Sequence, residues 1–301
     1  MKKISKKIIA AMLVLTCVIS MINPINAEAR GGFSYLGNPT AYGDFLYAKD
    51  VAANAVGIVG YNGSDKNITI PSEIDGLKVI YVSGFVGNQT IESVVIPETV
   101  KELGYNAFAN CKKLKSVTLN EGLESILDSA FFMCPSLKKI RIPKSVTSIS
   151  QFAVGMYNEM DDKEIIFYRD FVIECYKGTE GEKYATSAWN YTLPILKSLD
   201  VKGAPKKVTL SSVKVVKGIN GMIEAKWKKV SGASGYYMIY SQDKNFTSHI
   251  DKVDVTSGKT TSRRVFVPAG KKIYVKVVAY KTIDGKKYFG DFSSVKSVKA
   301  K

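Results

Sequence analysis

Every 23 residues, the middle of this chain repeats the same apolar columns. With residues 91–113, 114–136 and 137–159 aligned, one column reads Val94, Val117, Ile140 and the next Ile96, Leu119, Ile142. Val100, Leu123 and Val146 follow, then Leu103, Ile126 and Ile149. A small residue and an apolar one close each unit: Ala107-Phe108, Ala130-Phe131, Ala153-Val154. Units of this length bury their apolar side only against their neighbours, so they stack. A stack of this kind offers a broad surface for binding and rarely a catalytic pocket.

Each unit opens with the spacing L-x-x-L-x-L, as in Leu114-Lys115-Ser116-Val117-Thr118-Leu119. The alternation at its end predicts a short strand with one face in and one face out, and stacked strands make a parallel sheet. Pro97 and Pro143 end two of these strands, because proline offers no N–H to a ladder. An earlier partial unit runs from Ile68-Thr69-Ile70-Pro71 to near Phe85, with an insertion around Asp75-Gly76. In the third full unit Val154 replaces Phe and Tyr157 replaces Cys. Terminal repeats are commonly atypical, so the array is expected to end there.

The stretches "LKSVTLNEGLESILDSAFFMC" and "LKKIRIPKSVTSIS" resemble the BspA-like class of leucine-rich repeats of bacterial surface and secreted proteins. The opening "GIVGYNGSDKNITIPSEIDG" and the closing "FVIECYKGTEGEKYATSAWNYTLPI" are similar to the two ends of such arrays. The resemblance implies a non-catalytic role in adhesion or in binding host or neighbouring-cell ligands. In the closing segment, Thr179-Glu180-Gly181-Glu182 has capping-box spacing. It predicts a helix from Thr179 to about Trp189, a lid over the last rung.

Lys2, Lys3, Lys6 and Lys7 precede an apolar run from Ile8 to Ile22, followed by Ala27-Glu28-Ala29. This is the pattern of a secretory signal peptide over residues 1–29, with cleavage after Ala29 or Ala27. The run is shorter than the roughly 20 residues a spanning helix needs, and a lipoprotein site at Cys17 fits poorly because Val14 and Thr16 depart from its pattern. Residues 30–200 then form the repeat domain and residues 201–301 a second domain, joined near Lys202-Gly203-Ala204-Pro205. Charge divides along the same line. Residues 30–200 carry a net −3 and residues 201–301 a net +16, which points the second domain at a polyanion.

The second domain reads as short alternating strands. Ile223, Ala225 and Trp227 alternate with polar residues. Tyr236, Met238 and Tyr240 follow, then Val265 and Val267, then Ile273, Val275, Val277 and Ala279, with a hairpin turn at Asp284-Gly285. About seven strands in some 100 residues suit a β-sandwich. The stretches "IEAKWKKVSGASGYYMIYS" and "VPAGKKIYVKVVAY" resemble a fibronectin type III domain, with Trp227 as its core tryptophan. That family usually places a tyrosine where this chain has Ile273, next to Tyr274. The whole mature chain is thus mainly β: a leucine-rich-repeat solenoid with a helical C-terminal cap, then a fibronectin type III-like sandwich.

Catalytic chemistry has little to draw on. His249 is the single histidine, so neither a Ser-His-Asp nor a Cys-His arrangement assembles easily. The acidic group Glu159, Asp161, Asp162 and Glu164 reads as a solvated loop ahead of a Ca²⁺ site. No cofactor or metal is expected. Cys111 and Cys134 share one column, where a disulfide is conceivable, but buried free thiols are favoured.

Residues alternating with the repeat core face solvent: Asn67 and Thr69, Ser93 and Val95, Ser116 and Thr118, Lys139 and Arg141. In leucine-rich repeats this sheet is the usual ligand surface. In the sandwich, Lys226, Lys228, Arg263, Arg264, Lys271, Lys272, Lys286 and Lys287 are the polyanion candidates. Tyr274, Lys276, Val278 and Tyr280, with Tyr237 and Ile239, are expected to face outward, either holding a sugar polymer or packing as a cross-strand ladder. The expected protein is a secreted, non-covalently retained surface protein. It binds an extracellular protein or glycan, with an anionic cell-wall polymer as second partner and no nucleic acid or membrane span. The rival readings are a non-catalytic accessory protein and a hydrolase acting on wall or extracellular polysaccharide.

Overall fold

The computed structural model describes residues 38–158, 165–167, 170–187, 194–200, 203–246 and 249–301. The expected signal peptide, the acidic group at 159–164 and Trp189 lie outside the described residues. The chain divides into two compact units: residues through Leu137 with Ser145–Ile166, and Lys138–Lys144 with Phe167–Lys301. In chain order, the strands through the array are β1 Thr40–Tyr42, β2 Phe45–Asp50, β3 Ala55–Tyr61, β4 Asn67–Thr69, β5 Glu73–Ile74, β6 Leu77–Val82, β7 Ser93–Ile96 and β8 Glu102–Leu103. They continue as β9 Ser116–Leu119, β10 Ser125–Ile126, β11 Lys139–Arg141, β12 Ser148–Ile149, β13 Met156–Asn158 and β14 Ile165–Phe167.

In the first unit, β4, β7 and β9 form one parallel sheet. A second sheet runs β1-β2-β3-β6-β8-β10-β12, antiparallel through β3 and parallel beyond it. The array is therefore opened by a meander of three antiparallel strands. The repeat columns supply the core: Val94, Ile96, Val100, Leu103, Leu123 and Ile126 are buried. Their aromatic column stacks ring on ring. Phe108 lies 4.7 Å from Phe85 and 5.5 Å from Phe131, and Tyr61 caps the row 5.6 Å from Phe85.

The turn after each phenylalanine of the aromatic column takes a left-handed residue two positions on. Gly87, Asn110 and Met133 fill it at φ 71°, 58° and 56°. Glycine and asparagine tolerate that region, whereas methionine is strained there.

Cys111, Cys134 and Cys175 are buried free thiols. Cys111 Sγ donates to Phe85 O and Cys134 Sγ to Phe108 O, each at 3.1 Å, so each thiol ties its rung to the one before. Burial pushes Cys111 and Cys175 up to about 12, and raises Cys134 as well. Thiolate is the reactive form. All three are expected to resist a maleimide at pH 8 until denaturant is added. Rapid labelling of the native chain, or a mass two protons lighter than the reduced form, would overturn this.

The second unit contains β11 with β15 Val172–Cys175, helix α1 Glu180–Thr186 and β16 Ile195–Ser198. Strands β11, β15 and β16 form a parallel sheet. Val172 pairs with Ile195, 23 residues on, so the repeat period resumes. Parallel pairing at the repeat spacing thus recurs within this unit, with α1 in the return between β15 and β16.

The helix ends at Thr186, short of the expected Trp189. Its capping box does not form either. Thr179 makes no side-chain cap; its hydroxyl donates to Tyr176 O at 2.7 Å. Glu182 instead accepts from Gly178 N, Lys286 Nζ and Tyr288 Oη, at 3.2, 2.8 and 2.6 Å.

The rest of this unit is β17 Leu210–Val215, β18 Met222–Trp227, β19 Gly235–Ser241, β20 Ile250–Val255, β21 Ser262–Phe266, β22 Lys272–Ile283, β23 Lys286–Phe289 and β24 Lys296–Lys299. They make two antiparallel sheets, β17-β18-β21 and β20-β19-β22-β23, with β24 also on β22. Trp227, Tyr236, Ile273, Val275 and Val277 fill the space between. This is the fibronectin type III-like sandwich.

Ile273 is in that core, so no tyrosine stands at the family's usual corner position. Another buried hydroxyl takes up a similar task. Tyr236 Oη accepts from Val230 N at 3.0 Å and donates to Gly258 O at 3.3 Å, its ring 5.4 Å from Trp227.

Candidate functional site

The repeat face divides between two sheets. Asn67, Ser93 and Ser116 line up across β4, β7 and β9, and Thr69, Val95 and Thr118 form the next row. Strand pairing sets such neighbours about 4.8 Å apart. Asn67, Thr69, Ser116 and Thr118 are exposed, while Ser93 and Val95 are half-buried. Ser93 Oγ donates to Asn67 Oδ1 at 2.7 Å, which holds that amide in place. At the entry to these strands Glu92 pairs with Lys66 and Lys115. The rows themselves carry no charge. They present hydroxyls, one amide and a methyl-bearing ridge to anything that lies across the strands.

Lys139 and Arg141 lie on the β11-β15-β16 sheet instead, both drawn to one carboxylate. Arg141 opposes Glu174, which opposes Lys197. Glu174 is buried, and Arg141, Lys197 and Lys139 approach it at 3.3, 3.3 and 3.8 Å. Burial works to raise its pKa, but these cations win and hold it below the usual range.

The aromatic surface expected on the sandwich is closed. Val278 and Tyr280 are buried, and with Ile239, Phe289 and Ile195 they form a second core against which Tyr237 and Tyr274 pack. Tyr237, Tyr280 and Phe289 pack edge to face or tilted at 4.9–5.6 Å. The packing alternative is therefore the correct one for these positions, because β16 supplies a covering layer. Lys276 lies between the rings of Phe246 and Phe292, at 4.2 and 4.4 Å, and donates to buried Asp170 at 2.7 Å.

The polyanion candidates are not equivalent. Lys286 is paired to Glu182 at 2.8 Å, and Lys287 to Asp254. Lys226 and Arg264 share Glu224, at 3.2 and 3.0 Å. Hydrogen bonding by Arg264, with help from Lys226, lowers the Glu224 pKa against the pull of burial. Lys228, Arg263, Lys271 and Lys272 are exposed, Lys272 over the Tyr274 ring.

Two features escaped the sequence reading. Phe266 is 68% exposed, and Lys214 stands across from Glu224 on the same sheet. Strict alternation out from Val265 would have found Phe266. Among the described residues, no group of three or more His, Cys, Asp or Glu is placed to hold a metal ion. No helix among them is long and apolar enough to cross a membrane.

Residues 61–167 match the family described as BspA type leucine rich repeat region, in six copies. That segment is a BspA-type leucine-rich repeat region. The array resembles a leucine-rich repeat protein of T. pallidum at 34% identity, covering 38% of this chain and 54% of that one, with a TM-score of 0.36. This chain thus spans about half the length of that protein. A leucine rich cell surface protein of Faecalibacterium prausnitzii is 17% identical over 64% of this chain and 59% of its own, with a TM-score of 0.26. The fn3 domain of human contactin 1 is 21% identical over 33% of this chain and 76% of its own, with a TM-score of 0.25. No curated protein matches the chain. BspA-type repeats are of the bacterial surface and secreted type and fit a binding role.

Proposed function

We propose that this is a secreted bacterial surface protein that recognises an extracellular protein or glycan with its repeat face and is held to the envelope by the basic sandwich. The observation that carries the reading is the uncharged double row Asn67–Ser93–Ser116 and Thr69–Val95–Thr118. Polar groups at regular spacing, with their charged neighbours already paired beside them, suit hydrogen bonding to a ligand laid across the strands. The leader-like segment at residues 1–29 and the repeat family support export. Retention is proposed to be non-covalent.

The test is a glycan and matrix-protein array probed with the full mature chain and with Thr69→Arg/Thr118→Arg. Both positions are exposed, so the variant keeps its fold. Loss of the ligand with an unchanged circular dichroism spectrum supports the repeat face. Retained binding rejects it. Release of reducing ends from any arrayed polysaccharide would favour the hydrolase reading, and binding only in complex with such an enzyme the accessory one.

A further inference from the structure

We infer that the anionic partner of the sandwich is an acidic polysaccharide and that its site is the outer face of the β17-β18-β21 sheet, centred on Phe266. This rests on the anchoring role proposed above and narrows it to one face. Alternation sends Ile223, Ala225, Trp227 and Val265 into the core. Met222, Glu224 and Lys226, with Ser262, Arg264 and Phe266, therefore face the other way. The pairing sets Met222 against Phe266, Glu224 between Lys214 and Arg264, and Lys226 between Ser212 and Ser262.

Carboxylates are segregated between the two sheets. The sandwich carries six carboxylates: Glu224, Asp243, Asp251, Asp254, Asp284 and Asp291. Five belong to the β20-β19-β22-β23 sheet or its connections, where Asp254, Asp284 and Asp291 pair with Lys287, Lys177 and Lys197. On the opposite sheet Glu224 is alone and is already shared by Lys226 and Arg264. Residues 206–229 hold seven lysines against that one glutamate, and exposed Arg263 adds to them. Strands β17, β18 and β21 with their flanks thus carry nine cations against one carboxylate, although lysines are also plentiful on the opposite sheet.

Phe266 fixes the ligand class. An exposed ring beside a guanidinium suits a sugar: the ring covers the apolar face of a pyranose, and the planar fork takes its carboxylate or phosphate. A flat sheet accepts an extended chain, which would meet Lys214 and Arg264 on either side of Glu224, with Phe266 two residues beyond Arg264 on the same face. An anionic bilayer is the weaker occupant, because one phenyl ring offers little apolar area for insertion.

The test uses the full mature chain with polygalacturonate, with polyglycerol phosphate, with neutral dextran, and with vesicles of phosphatidylglycerol and phosphatidylcholine. Phe266→Ala should weaken polygalacturonate binding roughly tenfold, about what one lost ring contact is worth, and leave the salt dependence unaltered. Lys226→Ser/Lys228→Ser should weaken it and flatten the salt dependence. Lys244→Ser/Lys299→Ser removes equal charge from the other sheet and should change neither. Polyglycerol phosphate carries the charge without a sugar ring, and its binding should be insensitive to Phe266→Ala. Equal losses from the two lysine pairs would overturn this face while leaving charge anchoring intact. No binding to either polymer, or binding indifferent to salt, would overturn the anchoring role itself. Binding to vesicles alone would overturn the polysaccharide.

Discussion

Replacing Phe108 with alanine should cost about 3–5 kcal/mol and disrupt the array from its middle. The ring is fully buried and lies face to face between Phe85 and Phe131, with interplanar angles of 20° and 2°. Neither neighbour can close the gap, since each is held in its own rung. Phe108 O also accepts the Cys134 thiol, so the backbone at this point ties one rung to the next. Stability in a stacked array is close to a sum of rung and interface terms. Removing an inner ring weakens two interfaces, whereas Phe45, half-buried beside Tyr61 at the head of the row, should matter far less when cut to alanine. Urea unfolding with hydrogen exchange at β8 and β10 amides measures both variants. Equal costs for Phe45→Ala and Phe108→Ala would mean that the aromatic column is not a continuous core.

That column was legible because a stacked repeat writes its core into the sequence at a fixed interval. The residues that bury Leu103 and Ile126 are the same residues one period away. Legibility fails where the interval breaks. The rungs at Val172 and Ile195 are again 23 residues apart, but the step from Lys139 to Val172 is 33, which hides them. The sandwich faces show a second limit. Alternation along β22 correctly separates Ile273, Val275, Val277 and Ala279 from Tyr274, Lys276, Val278 and Tyr280, yet it says nothing about what covers the second set. The same holds for charge. The contrast between −3 and +16 pointed to an external polyanion, and part of it is internal complementarity: Asp170 and Glu182 meet Lys276 and Lys286 inside one compact unit.

Removing the Lys276 ammonium alone should therefore be among the most damaging substitutions in the chain. Asp170 is fully buried, and among the described residues Lys276 approaches it at 2.7 Å and Lys138 at 3.8 Å. The longer contact is no substitute, because Lys138 already donates to Phe246 O at 2.5 Å. In Lys276→Met the buried Asp170 carboxyl loses the one side chain that, among the described residues, donates to it at close range. Breaking a buried pair from one side typically costs about 3–5 kcal/mol, most of it the stranded charge. Asp170→Leu with Lys276→Met removes both charges and keeps the apolar stems between Phe246 and Phe292. Paired apolar replacements of this kind are often neutral or stabilising. The double variant should thus recover most of what Lys276→Met loses, giving a coupling term well above the error of a double-mutant cycle. Thermal and urea unfolding of the full chain would measure all four corners. If Lys276→Met and the double variant are equally destabilised, the loss comes from ring packing, and the ion pair contributes nothing. If neither is destabilised, this contact does not hold Asp170 to the sandwich.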